Sequence, residues 1–234
     1  MTTSPFRYFK TSPEIIQLAV MLYVRFPLSL RNVEDLLHER GIDICHESVR
    51  LWVDRFGPIF AGKIRTKRAS YMRQHTQWQR HLDEVFVKIN GVQHYLWRAV
   101  DHEGEVLENY VTKTRDKPAA LRFLKKAMKR YGSPRTVVTD RLRSYGAAMK
   151  EIGNEDRQEV GRHLNNRAEN SHLPFRRRER AISRFRRMSN LQKFVSTHAS
   201  FHNHFNRDRH INHRSTFKSM RNAALSEWRD LLAG

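Results

Sequence analysis

Hydrophobic and polar positions follow two different periods along this chain, and the change falls near His81. From Pro13, the apolar residues Ile15, Ile16, Ala19, Val20 and Tyr23 recur at helical spacing, and Pro13 suits a first turn. Pro27 closes that helix. Leu30, Val33, Leu36 and Leu37 carry the same period behind Ser29 as N-cap, until Gly41 breaks it. A third helix is expected over about His46 to Phe56, burying Val49, Trp52, Val53 and Phe56 and turning Arg50, Asp54 and Arg55 outward. Residues 1–12 show no period and read as an arm. Gly57 to Arg80, holding Lys63, Arg65, Lys67, Arg68 and Arg73, reads as a basic connector, with a domain boundary between Tyr71 and Gln79.

Beyond His81 the period becomes two. Asp83, Val85, Val87 and Ile89 share one side of a strand, and Glu84, Phe86 and Lys88 the other. Asn90-Gly91 is a strong hairpin signal, because a type I′ turn needs positive φ at both central positions. Strands over Gln93 to Asp101 and Glu105 to Lys113 complete an antiparallel meander. A helix follows, with Asp116 as N-cap, Leu121, Leu124, Met128 and Tyr131 on one face, and Gly132 and Pro134 as its stop. It leads into the apolar strand Arg135 to Asp140, expected to lie parallel to the first strand because a helical crossover joins parallel neighbours. Ser144 to Ile152 reads as a helix, Gln158 to His163 as a fifth strand, and Asn166 to about Phe205 as helix, although Pro174 should disturb it. The remainder reads as a basic tail ending in an amphipathic turn, Ala223 to Leu232. The order implies an α/β fold, a mixed sheet covered by helices behind an N-terminal helical unit.

Charge narrows the partners. Lys and Arg total 44 against 24 Asp and Glu, a net +20, with a pI near 10.8. Between Arg157 and Ser215 there are 14 Lys and Arg against 4 Asp and Glu, half of the surplus. Such a concentration implies a polyanion, and nucleic acid is the obvious one, since neutralising phosphates releases counterions. The three N-terminal helices fit either a helix-turn-helix or a small bundle without a DNA role, and the net charge favours the former. Cys45 alone excludes a disulfide framework and a thiolate zinc cluster. Ile15 to Val24 contains Gln17 and is too short to span a bilayer, and the N-terminus lacks signal-peptide order. The expected location is therefore cytoplasmic, with access to the nucleoid and no membrane partner.

Candidate chemistry lies in carboxylates. Asp140 stands at the carboxyl end of a central strand, where α/β proteins place functional loops, and Asp83 lies along an apolar row where burial is costly without a positive partner. Each also has an ordinary reading, Asp140 as a helix cap and Asp83 at the wet end of its strand. If the two strands pair, the aspartates meet, and Glu169 could join them from a covering helix. Oxygen ligands of this kind suit two Mg²⁺ ions ~4 Å apart, with Mn²⁺ as a substitute. The guanidinium groups of Arg176, Arg177, Arg178 and Arg180 would hold a phosphodiester.

The segments His81-Leu82-Asp83-Glu84, Thr139 to Ala148 and Leu164 to His172, the last followed by the arginine run, resemble bacterial insertion-sequence transposases of the Asp-Asp-Glu class, most closely the insertion-sequence six family. The resemblance covers essentially the whole chain. It implies helix-turn-helix DNA binding over 1–62, a basic linker over 63–80, a ribonuclease H-like catalytic domain over 81–205 and a basic tail over 206–234. It implies Asp83, Asp140 and Glu169 as catalytic metal ligands. Arg176, seven residues past Glu169, then matches a basic position that holds DNA, joined by Arg177, Arg178, Arg180, Arg141, Arg50 and Arg55 as DNA contacts. Arg141 stands where the family often has Lys. The implied partners are the terminal inverted repeats of the element and a target double strand, engaged by at least a dimer, with cleavage to 3′ hydroxyls and their joining to target. A DNA-binding protein without chemistry, such as a repressor or transposase remnant, is the alternative. His198, His202 and His204 lie in a helical segment among phenylalanines and read as packing or DNA contacts rather than a metal site.

Overall fold

A computed structural model describes residues 4–74, 79–161, 164–182, 184–206 and 212–232, the side chains of 69–74 excepted. Its contacts divide the chain into one unit of Met1–Ile64 with Phe201–Gly234 and a second of Arg65–Ser200.

The first unit begins with α1 (Pro13–Arg25), capped by the Ser12 side chain, and α2 (Leu30–His38), where Ser29 and Asn32 form a reciprocal capping box. Gly41, at φ 73°, turns the chain toward α3 (His46–Gln74). This helix does not stop at Phe56. It runs through Gly57 and Pro58 because Phe56, Phe60, Ala61 and Ile64 keep the helical period and are buried, so core packing outweighs the single hydrogen bond that Pro58 forfeits. Much of the expected connector is therefore helical, and residues 75–78 of the expected boundary lie outside the described residues.

The presumed arm and tail are also structured. Phe6 stacks on Phe56 with ring centroids 4.6 Å apart, and Phe9 meets the same ring edge-on at 5.1 Å. Arg214–Asp230 forms a helix whose Trp228 is buried against Phe60 and Phe201. Gln17 Nε2 donates to the Trp228 carbonyl at 2.6 Å, and Lys63 Nζ to that of Leu231 at 2.7 Å. The expected amphipathic turn at Ala223 to Leu232 falls at the end of this helix; the basic residues hid the rest, since only Ala224 and Trp228 within it and Leu231 just past it turn fully inward.

The second unit holds a five-stranded sheet in the order β3-β2-β1-β4-β5. β1 (Gln79–Ile89), β2 (Val92–Asp101) and β3 (Val106–Thr112) form the antiparallel meander, with Asn90 at φ 49° and Gly91 at φ 80° in the tight turn. After α4 (Lys117–Tyr131), β4 (Thr136–Thr139) joins parallel to β1. Past α5 (Arg143–Glu151), β5 (Gln158–Val160) pairs parallel to β4; His163, the expected end of that strand, lies outside the described residues. This is the ribonuclease H-like arrangement of three antiparallel strands extended by parallel ones.

Strand alternation sorts the layers. Leu82, Trp97 and Ala99 face α4 and α5 through Phe123, Leu124 and Tyr145. Val87, Ile89, Leu96 and Val111 face Phe175 of α6 (Asn166–Ile182) and Leu191 and Val195 of α7 (Met188–Phe205). The expected single helical stretch is thus two helices. Between them Phe185 bridges to Ile89 and its carbonyl accepts from Asn90 N at 3.1 Å, so the hairpin tip takes up the chain where the helix stops. Pro174 sits within α6 and does not end it.

Candidate active site

Unequal strand length creates the site. β4 ends at Thr139, paired with Leu82, while β1 continues for seven residues to Ile89. Continuing the register sets Asp140 beside Asp83, at the point where β1 loses its neighbour. Asp140 Oδ1 accepts from Leu142 N at 3.0 Å, an Asx turn that opens α5, so its other oxygen is left for the site.

The third carboxylate at this point is Glu84. Ligand oxygens of Asp83, Glu84 and Asp140 lie within 4.8 Å of one another, the one such group of three among the described residues. Successive strand residues point to opposite faces, so Glu84 reads from the sequence as turned away from Asp83. Beyond the end of β4 no strand borders β1 on that edge, and both side chains reach the same gap. The sign available in the sequence was the adjacency of two acids at the end of the first motif.

The charges around this gap do not balance. Glu84, its side chain 3% exposed, meets Arg115 Nη2 at 2.5 Å, and the same nitrogen lies 3.7 Å from Asp140 Oδ2. Glu84 Oε2 is buried without a hydrogen-bond partner, and the buried Tyr145 hydroxyl lies alongside the carboxylate but outside hydrogen-bonding geometry. Burial, then repulsion from Asp140, pushes the Glu84 carboxyl up to about 7 despite Arg115. Burial likewise pushes Asp83 up to about 6, against the pull of a backbone hydrogen bond and of Arg115 and Arg98. A cluster of hard oxygens short of positive charge, one of them with no partner, fits divalent cations.

Helix α6 is held over this gap by Asn165, just before its start, and by Arg176, with His172 on the same face. Asn165 Nδ2 donates to the Leu82 carbonyl at 2.8 Å, His172 Nε2 lies 3.2 Å from Asp83 Oδ2, and Arg176 Nη2 donates to the Phe86 carbonyl at 2.5 Å. Glu169 falls between Asn165 and His172 at helical spacing, four residues after one and three before the other. Its side chain is exposed and is not among the grouped carboxylates. Beneath the helix, Arg98 is fully buried opposite Asp83 in the β1–β2 register; it donates to Asn109 Oδ1 at 2.9 Å and to the Ser171 carbonyl, tying α6 to the sheet. Desolvation holds its pKa down to about 9. Sequence reasoning passed over Arg98, Arg115 and His172, whose roles depend on contacts far along the chain.

The arginines singled out earlier separate by exposure. Arg141, Arg177 and Arg180 are exposed, and Arg176 is half-buried between Glu179 and Phe86. Arg178 is 1% exposed and lies over the Phe194 ring at 5.8 Å, which makes it a core residue and not a surface contact. In the N-terminal unit, Arg50 is paired with Glu47, and Arg55 lies over the Phe9 ring at 5.2 Å.

Residues 77–208 match the DDE domain of IS240-type transposases, a segment that holds both aspartates, Glu84 and Glu169. The chain belongs to the DDE transposase family. The transposase for insertion sequence-like element IS431mec of Staphylococcus aureus is 36% identical over 149 residues, which are 63% of this chain and 63% of that protein. The chain thus spans less than two thirds of that relative in the aligned part. An uncharacterized protein of Methanocaldococcus jannaschii, MJ0017, is 30% identical over 190 residues, covering 81% of this chain and 82% of that one. Relatives of this chain therefore come from an archaeon as well as a bacterium. Among solved structures, the catalytic domain of Mos1 mariner transposase is similar at a TM-score of 0.37 and 13% identity, over 76% of this chain and 93% of that one. No helix among the described residues is long and apolar enough to cross a membrane.

Proposed function

We propose that this DDE protein is the transposase of an insertion sequence of the six type, acting on DNA as a Mg²⁺-dependent polynucleotidyl transferase. The observation that carries the reading is the meeting of Asp83 and Asp140 where β4 stops, at a gap overlooked by the helix bearing Glu169. Asp83, Asp140 and Glu169 are the proposed ligands, Glu169 entering from a helix already tied to Leu82 and Phe86. When bound, a pair of divalent cations would activate the attacking oxygen and stabilise the leaving one.

The chain's own residues supply the rest. Asp140 is oriented by its bond to Leu142 N, and His172 Nε2 lies 3.2 Å from Asp83 Oδ2. Arg115 offsets part of the local negative charge, and exposed Arg141, Arg177 and Arg180 offer guanidinium groups to phosphates of the terminal repeats and of target DNA. In the proposed reaction a water oxygen displaces the 3′ oxygen of the element end, and the freed 3′ hydroxyl then displaces a 3′ oxygen in the target. Two ends call for at least two subunits. The helical N-terminal unit is proposed to bind the terminal repeats.

The test uses Asp83→Asn, Asp140→Asn and Glu169→Gln in the full chain, on a supercoiled plasmid carrying the element's two ends. Each should abolish Mg²⁺-dependent nicking while end binding in EDTA stays within about threefold. Cleavage retained by any one variant removes that residue from the proposed ligand set.

A further inference from the structure

Beside the carboxylates, β1 and β2 present an aromatic pair at the edge of a core, Tyr95 half-buried against it and Phe86 standing outside. Phe86 is 53% exposed, and Tyr95, its partner across the strands, lies with ring centroids 5.4 Å apart at an interplanar angle of 58°. Phe86 shares the strand face of Glu84, where Leu82, two positions further back, is buried against α4 and α5. The face is therefore covered up to the site and open beyond it. Gln93 Nε2 donates to the Tyr95 hydroxyl at 3.2 Å and fixes that ring.

The surroundings are cationic. The Arg115 guanidinium lies over the Phe86 ring at 6.0 Å while its Nη2 touches Glu84 and approaches Asp140. One guanidinium group thus separates the aromatic ring from the carboxylates. Arg176 is bonded to the Phe86 carbonyl, and exposed Lys88 follows on the same strand face. An exposed ring backed by a half-buried one and rimmed by cations suits a nucleobase, whose apolar faces stack while its phosphates meet the positive charge.

We propose that Phe86 and Tyr95 form a stacking platform for an unpaired base of the DNA strand whose phosphodiester lies at the carboxylates. The proposal rests on the DNA-processing reading above and adds a base-holding subsite to it. An unstacked base beside the reacting phosphate keeps the strand end apart from its complement, and the aromatic faces offset the lost stacking. The contact is tolerant of sequence, because every base presents a π-face.

The experiment is done in EDTA with the full chain, so that no turnover is involved and failure of the catalytic assignment leaves it unaffected. Fluorescence anisotropy compares a 20-nucleotide oligothymidylate with a blunt 20-base-pair duplex for wild type, Phe86→Ala, Phe86→Leu and Phe86→Trp. Phe86→Ala should weaken the single strand by roughly 5- to 100-fold and the duplex by less than about twofold. Phe86→Leu should lose most of the same affinity, and Phe86→Trp should keep it. A 5-iododeoxyuridine strand should photocrosslink to the peptide containing Phe86. Unchanged single-strand affinity in Phe86→Ala, equal losses on both DNAs, or a crosslink elsewhere would overturn the platform. So would a fall in melting temperature with binding intact, which would mark the pair as a cross-strand contact only.

Discussion

Replacing Glu84 by Gln should stabilise the metal-free protein at alkaline pH, although it removes an ion pair. In the folded chain the Glu84 carboxyl titrates near 7 instead of 4.5, chiefly because it is buried and secondly because Asp140 repels it. A folded-state pKa above the unfolded one means that the proton stabilises the fold. That contribution is complete below about 4.5 and is lost as pH rises through about 7. The displacement corresponds to ~3 kcal/mol of folded-state cost for the ionised form above pH 8. Gln carries no charge at any pH and escapes this cost. Arg115 loses its 2.5 Å partner but keeps Asp140 at 3.7 Å, which trims the expected gain to ~1–2 kcal/mol. For a unit of this size that is a rise in melting temperature of roughly 3–8 °C. Scanning calorimetry in EDTA from pH 5 to 8.5 reads it directly: the Glu84→Gln increment should be largest at pH 8.5 and vanish near pH 5. Adding Mg²⁺ at pH 8 should raise the wild-type melting temperature more than the variant's, since the wild type holds the additional carboxylate. A variant less stable than wild type at every pH, or an increment that does not change with pH, would refute the view that the carboxylates are held together against their own repulsion.

Two further substitutions separate the roles assigned to other residues. Arg177→Ala should lower the salt dependence of DNA affinity by about one phosphate contact, whereas Arg178→Met should leave that slope alone and change the melting temperature instead, as salt titrations of binding and a thermal melt would show. Trp228→Ala should cost ~3–5 kcal/mol in urea denaturation of the full chain, because its ring fills space between Phe60 and Phe201; a loss below about 1 kcal/mol would mean that the C-terminal helix is not part of that core.

Much of this protein was legible in one dimension. The change of period at His81, the Asn90-Gly91 turn and the Asp116 and Gly132 helix limits follow from local sterics and hydrogen bonding, and the structure has each where the sequence puts it. The parallel pairing of β1 with β4 follows from the handedness and length of the intervening helix, and with it the meeting of Asp83 and Asp140. Length of structure was less visible. Pro58 and the charges of Arg214–Asp230 look like interruptions until Phe56, Phe60 and Trp228 are seen in one core, since packing gathers residues from both ends of the chain. Only the tertiary structure decided that Glu84 joins the aspartates, that Arg178 turns inward and that Arg98 stands across from Asp83 beneath α6. Alternation assigns a side chain to a face of its strand, but where a neighbouring strand ends side chains of both faces can reach the open edge, and no local rule says which partner stands across it.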